Sequence, residues 1–215
     1  MPIDLPSALV LATACAPGVA PQTLLSIVSV ESGFDPLAIG VNGSKPRAIR
    51  SANQADAVRT ATELINGGVN IDLGLAQINS KNLTWLGLSL ADVFDPCQNL
   101  AASARILADN YRRSQPVVGE EQKALRTALS LYNTGDRQRG LRNGYVAKVT
   151  GAATRLVPAI AVAAPVQVPS ASPDAPAAKT GTPRPDAPTW DVFARVQGRD
   201  ASFVLSPAPS SGAAP

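Results

Sequence analysis

The feature that most limits what this chain can fold into is a change of composition close to residue 159. Ten of its 19 prolines lie in the last 57 residues, together with 14 alanines and repeated Pro-Ala-Ser runs. Such a segment has too few large apolar side chains to bury a core. We therefore predict one folded domain over residues 1–158, a disordered linker rich in proline and alanine over 159–188, and a C-terminal tail over 189–215.

The tail contains a short stretch of different composition. Between Thr189 and Pro207 there are few prolines, and Trp190, Phe193 and Phe203 stand among charged residues. Aromatic side chains often dominate protein–protein contacts, so this stretch is a candidate docking segment for a partner protein. A stretch of disorder with no partner explains the composition equally well.

The absence of histidine excludes several kinds of active site. A Ser-His-Asp triad, a Cys-His pair and a His-ligated zinc site all need an imidazole. Acid–base chemistry is therefore left to carboxylates, tyrosine or lysine. The sequence indicates no metal or organic cofactor.

The chain is mildly basic, with 19 lysines and arginines against 16 acidic residues and a formal net charge of +3. A nucleic-acid partner would require a denser basic surface with interleaved aromatic residues, so we predict none. The densest basic patch comprises Arg137, Arg139, Arg142 and Lys148, and we interpret it as a solvated helix face.

The N-terminal region allows two interpretations. It has no run of about 18 apolar residues, and neither has the rest of the chain, so we predict no membrane span. Residues 7–15 resemble the apolar core of a signal peptide or lipoprotein leader, but the first basic residue is Lys45 and Asp4 lies where positive charge belongs. We favour a helix of the folded domain opened by Pro6, with one face formed by Leu5, Ala8, Ala12 and Cys15.

The two cysteines, Cys15 and Cys97, are 82 residues apart, which fits no CxxC redox or metal motif. Asp95 and Pro96 are typical of a helix start, and the helix that follows carries an apolar stripe of Cys97, Leu100, Ala104, Leu107 and Tyr111. Two buried thiols and one disulfide are both compatible with this pattern. A disulfide would stabilise the fold by about 4 to 5 kcal/mol and would require an oxidising compartment such as the periplasm.

A glutamate ends the apolar face of another predicted helix. This helix begins at Pro21 and ends near Ser32, and its stripe consists of Leu24, Ile27, Val28 and Glu31. Burial and the negative end of the helix dipole both raise the pKa of a carboxyl group. Glu31 is therefore a candidate general acid, and an ordinary exposed glutamate in a frayed last turn is the alternative.

Three further segments have a readable pattern. Gln77 and Asn79 alternate with apolar neighbours, which predicts a short half-buried strand with both amides on its open face. Residues 51–66 predict an inserted amphipathic helix with Ala55, Val58, Ala61, Thr62 and Ile65 inward. Another helix carries the stripe Leu125, Ala128, Leu129 and Tyr132 and stops at Asn133, Thr134 and Gly135.

Three short motifs, taken together and in this order, resemble a known family. They are Glu-Ser-Gly-Phe-Asp-Pro at 31–36, Gly-Leu-Ala-Gln-Ile-Asn at 74–79 and Ser-Leu-Tyr-Asn-Thr-Gly at 130–135. The set is similar to the ES, GLxQIN and (A/S)xYNxG motifs of the soluble lytic transglycosylases, which are lysozyme-like enzymes that cleave peptidoglycan. Cys-Ala-Pro at 15–17 and Phe-Asp-Pro-Cys at 94–97 resemble the members that accompany type IV secretion and conjugation systems, and the likeness covers roughly residues 5–156.

The resemblance implies a fold and a set of site residues. The fold would be mainly α, of the lysozyme-like α+β kind, with a small β region near residues 70–80. Glu31 would be the catalytic acid and base, and Cys15 would pair with Cys97. Ser32 would shape the turn after Glu31, and Gln77 and Asn79 would line the glycan groove. Tyr132 would donate a hydrogen bond to Glu31, and Asn133 would position that loop.

The resemblance also implies a reaction and a setting. Lytic transglycosylases cleave the MurNAc–GlcNAc β-1,4 bond with a single glutamate and form 1,6-anhydro-MurNAc without consuming water. The expected location is the periplasm of a Gram-negative bacterium, where the enzyme would open peptidoglycan locally for a type IV secretion or conjugation apparatus. Its partners would be glycan strands and, through the tail, channel proteins of that apparatus.

Two alternatives remain open at this point. A second carboxylate that activates water would make the protein a hydrolase of the goose-lysozyme type, and Asp35 and Asp72 are the candidates, although each more readily fits a structural role. The protein could instead be an assembly factor that binds peptidoglycan with secondary or no cleavage.

Overall fold

The computed structural model describes residues 1–43, 45–116 and 120–163, so residues 164–188 of the predicted linker and the whole docking segment lie outside them. The described helices are α1 (Leu5–Cys15), α2 (Pro21–Glu31), α3 (Gln54–Asn66), α4 (Leu83–Leu86), α5 (Leu90–Val93), α6 (Pro96–Arg113), α7 (Glu121–Thr134), α8 (Arg139–Arg142) and α9 (Tyr145–Ala163). The strands are β1 (Ala38–Val41), β2 (Arg47–Arg50), β3 (Ile71–Leu73) and β4 (Ile78–Asn79). The predicted mainly α fold with a small β region is confirmed.

The helices begin and end at residues that satisfy their terminal backbone groups. Asp4 accepts a hydrogen bond from the backbone nitrogen of Ser7 at the start of α1, and Asp95 does the same for Gln98 at the start of α6. Gly135 adopts a left-handed conformation with φ of 67° and ends α7. The start of α6 and the end of α7 agree with the prediction, and α1 begins at Leu5, one residue before the predicted start at Pro6.

Helix α2 lies at the centre of the core. Its residues 23–28 are all buried, so it is covered on every side by other elements. Helix α9 packs along it, and α1 contacts α2, α6 and α9. A disulfide joins Cys15 at the end of α1 to Cys97 at the start of α6, with the Cα atoms 5.4 Å apart. The pairing implied by the resemblance is therefore confirmed.

The four strands form one antiparallel sheet in the order β2-β1-β3-β4. Ile39 pairs with Leu73, and Leu73 pairs in turn with Ile78. The β region near residues 70–80 is confirmed, but β1 and β2 were not predicted. Each has only four residues, which is too short for an alternating pattern to stand out.

Helix α3 confirms the predicted helix and part of its inward face, since Ala61 is buried and Val58 and Ile65 pack against the core. Asn53 caps it, so it begins at Gln54 rather than at residue 51. Its buried residues are Ala57 and Ala61, whereas Ala55 and Thr62, predicted to point inward, are exposed. The helix contacts α5, β1 and β3, and these neighbours decide which of its sides is covered.

Helix α9 continues through Pro158 to Ala163, so residues 159–163, assigned to the linker from their composition, are helical. Within the described ranges, no helix combines the length and apolar character needed to cross a membrane. The basic residues Arg137, Arg139, Arg142 and Lys148 are all exposed, as predicted, but they do not form one helix face, because Arg137 precedes α8, Arg139 and Arg142 lie on α8, and Lys148 lies on α9.

Candidate active site

A groove of about 840 Å³ crosses the surface between the sheet and the helices. The end of α2, strands β3 and β4, one side of α6 and the end of α7 contribute its walls. Most of the side chains that line it are polar, with amides, carboxylates and a tyrosine among them. Such a surface offers both donors and acceptors to a hydroxyl-rich ligand.

Glu31 stands in this groove as the last residue of α2. Burial raises the pKa of its carboxyl group to about 7, a hydrogen bond from Tyr145 acts in the opposite direction, and the negative charge of Asp72 raises the pKa further. The Tyr145 hydroxyl donates to Oε1 of Glu31 over 2.6 Å. Near neutral pH this carboxyl group is therefore able both to give and to take a proton.

The tyrosine that contacts Glu31 is not the one expected. The hydroxyl of Tyr132 donates to the carbonyl of Ala76 over 2.8 Å and accepts from the hydroxyl of Ser103 at 2.9 Å. The expected hydrogen bond from Tyr132 to Glu31 is thus wrong, because Tyr132 points from α7 towards α6 and the turn before β4.

Tyr145 takes that place because it begins α9, the helix that packs along α2. Burial raises the pKa of its hydroxyl, so it remains a donor across the neutral range. The sequence held a signal for it: Tyr145, Val149 and Ala152 form a buried helical stripe, and a tyrosine in such a stripe needs a hydrogen-bond partner.

Asp72 is a second carboxylate in the groove. It lies on β3, accepts hydrogen bonds from the amides of Asn42 (2.8 Å) and Asn79 (2.7 Å), and burial raises its pKa. Asp35 is different, because it is buried outside the groove lining and pairs with Arg50 at 2.6 Å. Of the two aspartates considered from the sequence, only Asp72 is placed where it can act on a ligand.

Gln77 and Asn79 both line the groove, but only Asn79 lies on a strand, β4. Gln77 has a φ of 50° and lies in a turn, so the strand predicted across it is wrong. Its amide nitrogen donates to the carbonyls of Ala38 (3.1 Å) and Gly74 (2.9 Å). Because these bonds hold the turn against β1, the donors of this amide are already in use.

The turn before β4 is fixed from behind by Asn99, which the sequence analysis missed. This buried side chain donates to the carbonyls of Leu73 (3.0 Å) and Val93 (2.7 Å) and accepts from the backbone nitrogen of Ala76 (2.8 Å). Gly74 has a φ of 76°, and a Cβ atom there would lie 2.7 Å from the carbonyl oxygen of Val93. A polar residue inside the apolar face of α6 was the available signal.

Ser32 and Asn133 lie beside the site rather than at its centre. Ser32 is buried and its hydroxyl donates to the carbonyl of Val28 over 3.4 Å, which agrees with a role in the turn that ends α2. Asn133 lines the groove and accepts from the amide of Asn143 at 3.0 Å, while the Asn143 oxygen accepts from the backbone nitrogen of Tyr145 at 3.0 Å. Asn133 is thereby connected to the tyrosine that contacts Glu31.

The described residues contain no group of three side chains suited to hold a metal ion. What the groove offers is a carboxyl group that exchanges protons near pH 7, a second carboxylate nearby and many polar groups. This set of side chains is suited to acid–base cleavage of a polar polymer such as a polysaccharide.

Comparison with known proteins identifies relatives. The model of the family described as Transglycosylase SLT domain matches residues 8–152. The chain is 38% identical to protein VirB1 of Agrobacterium fabrum over 185 residues, which are 86% of this chain and 69% of that protein. Over 161 residues it is 46% identical to the type IV secretion system protein VirB1 of Brucella suis, covering 72% of this chain and 67% of the relative.

A further relative has the same name and a similar extent. The type IV secretion system protein VirB1 of Brucella abortus is 47% identical over 152 residues, which are 67% of this chain and 63% of that protein. The matched part thus spans about two thirds of the length of these relatives. No solved structure matches the chain.

Proposed function

Because the chain belongs to the transglycosylase SLT domain family, we propose that its groove binds a peptidoglycan glycan strand and cleaves the β-1,4 bond between MurNAc and GlcNAc. The observation that carries this proposal is Glu31, a groove carboxyl group with a pKa of about 7 and a hydrogen bond from Tyr145. A carboxyl group with an ordinary pKa would be almost fully ionised at neutral pH and would make a poor general acid.

In the first step Glu31 acts as the acid. Its proton moves to the glycosidic oxygen, the bond between that oxygen and the anomeric carbon of MurNAc breaks, and GlcNAc leaves with a free hydroxyl group. The positive charge that develops on the sugar is stabilised by the acetamido oxygen of the substrate, so no protein carboxylate has to form a covalent bond.

In the second step Glu31 acts as the base. The carboxylate removes the proton from the 6-hydroxyl of MurNAc, and that oxygen bonds to the anomeric carbon, giving the 1,6-anhydro sugar. Glu31 is protonated again and no water is consumed. Tyr145 serves this cycle as a positioning residue, because its hydroxyl donates to Oε1 and favours the carboxylate form between the steps.

Asp72 supports a second candidate reaction. It lies in the same groove as Glu31, and two carboxylates across a glycosidic bond are the usual equipment of hydrolases. If Asp72 activated water, the product would carry a reducing end instead of an anhydro ring. The two amides that bond to Asp72 make a structural role in the sheet the simpler explanation.

The test is mass spectrometry of the soluble products released from isolated peptidoglycan sacculi. We expect anhydro-muropeptides from the native protein and at least about a hundredfold less from Glu31→Gln, since general acid–base catalysis typically contributes that much or more. Asp72→Asn should still give anhydro products. Reducing-end products that disappear in Asp72→Asn would establish the hydrolase, and cleavage by Glu31→Gln at the native rate would contradict both reactions.

We also propose a setting for this activity, supported by the names of the relatives. The protein would act in the periplasm of a Gram-negative bacterium and open peptidoglycan for assembly of a type IV secretion or conjugation apparatus. Removing residues 189–207 tests the docking segment. Secretion should fall while cleavage of sacculi by the purified protein stays unchanged, and unaffected secretion would exclude a docking role.

A further inference from the structure

Trp85 is an exposed aromatic side chain in the groove for which the proposed reaction has no role. It is 49% exposed, and it is the only aromatic residue among the large exposed apolar side chains of residues 1–43, 45–116 and 120–160. The others, Met1, Val10 and Leu141, do not line the groove. An exposed tryptophan inside a polar groove is suited to a ligand that has both polar and apolar faces.

The position of the Trp85 ring is fixed before any ligand arrives. Leu83 and Leu86, on the same short helix α4, are buried and anchor it. The indole nitrogen donates to Oδ1 of Asn82 over 3.0 Å. The guanidinium of Arg105 lies 5.6 Å from the ring centroid, and its Nη1 donates to the carbonyl of Leu86 at 3.1 Å. One edge and one face of the indole are therefore held.

A ring held in this way loses little conformational freedom when a ligand covers it, so more of the contact energy becomes affinity. Sugar rings carry C–H groups on their faces and hydroxyls around their edges. The polar side chains of Lys81 and Asn82 line the groove beside the indole and can bond to such hydroxyls. The geometry thus fits a sugar ring whose face stacks on the indole of Trp85 and whose hydroxyls form hydrogen bonds with the neighbouring polar side chains.

We propose that Trp85 is a sugar-stacking platform that binds one N-acetylated sugar ring of the glycan strand. This inference rests on the proposed function, because it concerns the same groove. Trp85 would act on binding rather than on the chemical step, so its loss should raise KM and leave kcat largely unchanged.

The direct test uses fluorescence of the full-length chain. The protein has two tryptophans, so Trp190→Phe leaves Trp85 as the only one, and Glu31→Gln prevents turnover. Titration with chitohexaose, a soluble N-acetylglucosamine polymer, should change the Trp85 emission. Calorimetry should show binding at least about tenfold weaker in Trp85→Ala, as for other tryptophans at binding hot spots, and a smaller loss in Trp85→Phe, which keeps a ring.

Val10→Ala is the matched control, because Val10 is exposed on α1 away from the groove, and it should bind chitohexaose like the parent protein. Circular dichroism establishes that each variant is folded. Unchanged affinity for chitohexaose in folded Trp85→Ala, together with a native KM on sacculi, would overturn the platform.

Failure of the platform and failure of the proposed reaction give different results. If Trp85 emission responds to chitohexaose and Trp85→Ala binds weakly, but native protein makes no product from sacculi, the platform stands and the reaction is wrong. If anhydro products form and Trp85→Ala has the native KM and affinity, the reaction stands and the platform is wrong. If the native protein neither binds chitohexaose nor cleaves sacculi, both are wrong.

Discussion

The disulfide between Cys15 and Cys97 should contribute a large part of the stability of this domain. It closes a loop with a sequence separation of 82 residues. In the chain-entropy model, breaking a disulfide that closes a loop of that length lowers the free energy of the unfolded chain by about 4.5 kcal/mol at 25 °C, because the chain gains conformational entropy. Domains of this size are stable by only about 5–15 kcal/mol, so the loss would be a substantial fraction of the total.

The perturbation is the double substitution Cys15→Ala and Cys97→Ala, which leaves no single reactive thiol. The folded state should lose little by it, since both cysteines are only partly buried and Ala8 and Ala12 still hold α1 in the core. With a denaturant slope of about 4 kcal/mol per molar guanidinium chloride, the unfolding midpoint should fall by about 1 M.

The assay is equilibrium unfolding followed by far-UV circular dichroism, with and without a reducing agent. Reductant should bring the native protein to the midpoint of the double variant and should leave the variant unchanged. A loss of less than about 1 kcal/mol at an unchanged slope would refute the reasoning, because it would mean that the reduced, unfolded chain gains little freedom when the loop opens.

Two further predictions concern the groove. In the native protein the hydrogen bond from Tyr145 lowers the pKa of Glu31 and the charge of Asp72 raises it. In the pH profile of kcat/KM, the decline at alkaline pH should therefore move to higher pH in Tyr145→Phe and to lower pH in Asp72→Asn. Shifts in the same direction would contradict this account of Glu31. Asn99→Ala should reduce the free energy of unfolding by about 3 to 5 kcal/mol, measured in guanidinium chloride, because it leaves two buried carbonyls and a backbone N–H without their partner. The exposed neighbour Gln98 is the control, and Gln98→Ala should change stability by no more than about 0.5 kcal/mol.

The sequence by itself determined the local structure well. Helix starts are marked by proline and aspartate, and a helix end is marked by glycine. Apolar stripes mark the buried face of a helix, and all these signals depend only on residues close together in the chain. They predicted both ends of α2, the start of α6, the end of α7 and, within one residue, the start of α1, and they placed Glu31 at the end of an apolar face. The disulfide followed from the resemblance to a family, since spacing alone left two free thiols equally open.

Only the tertiary structure decided which polar groups meet in the groove. Tyr145 and Glu31 are 114 residues apart and touch because α9 packs along α2, whereas Tyr132 is turned towards α6. Asp72 enters the groove through the pairing of β1 with β3, and Gln77 is held in a turn by carbonyls of other segments. A periodic pattern reports whether a side chain is buried, but its hydrogen-bond partner depends on how distant elements pack, and no local pattern contains that information.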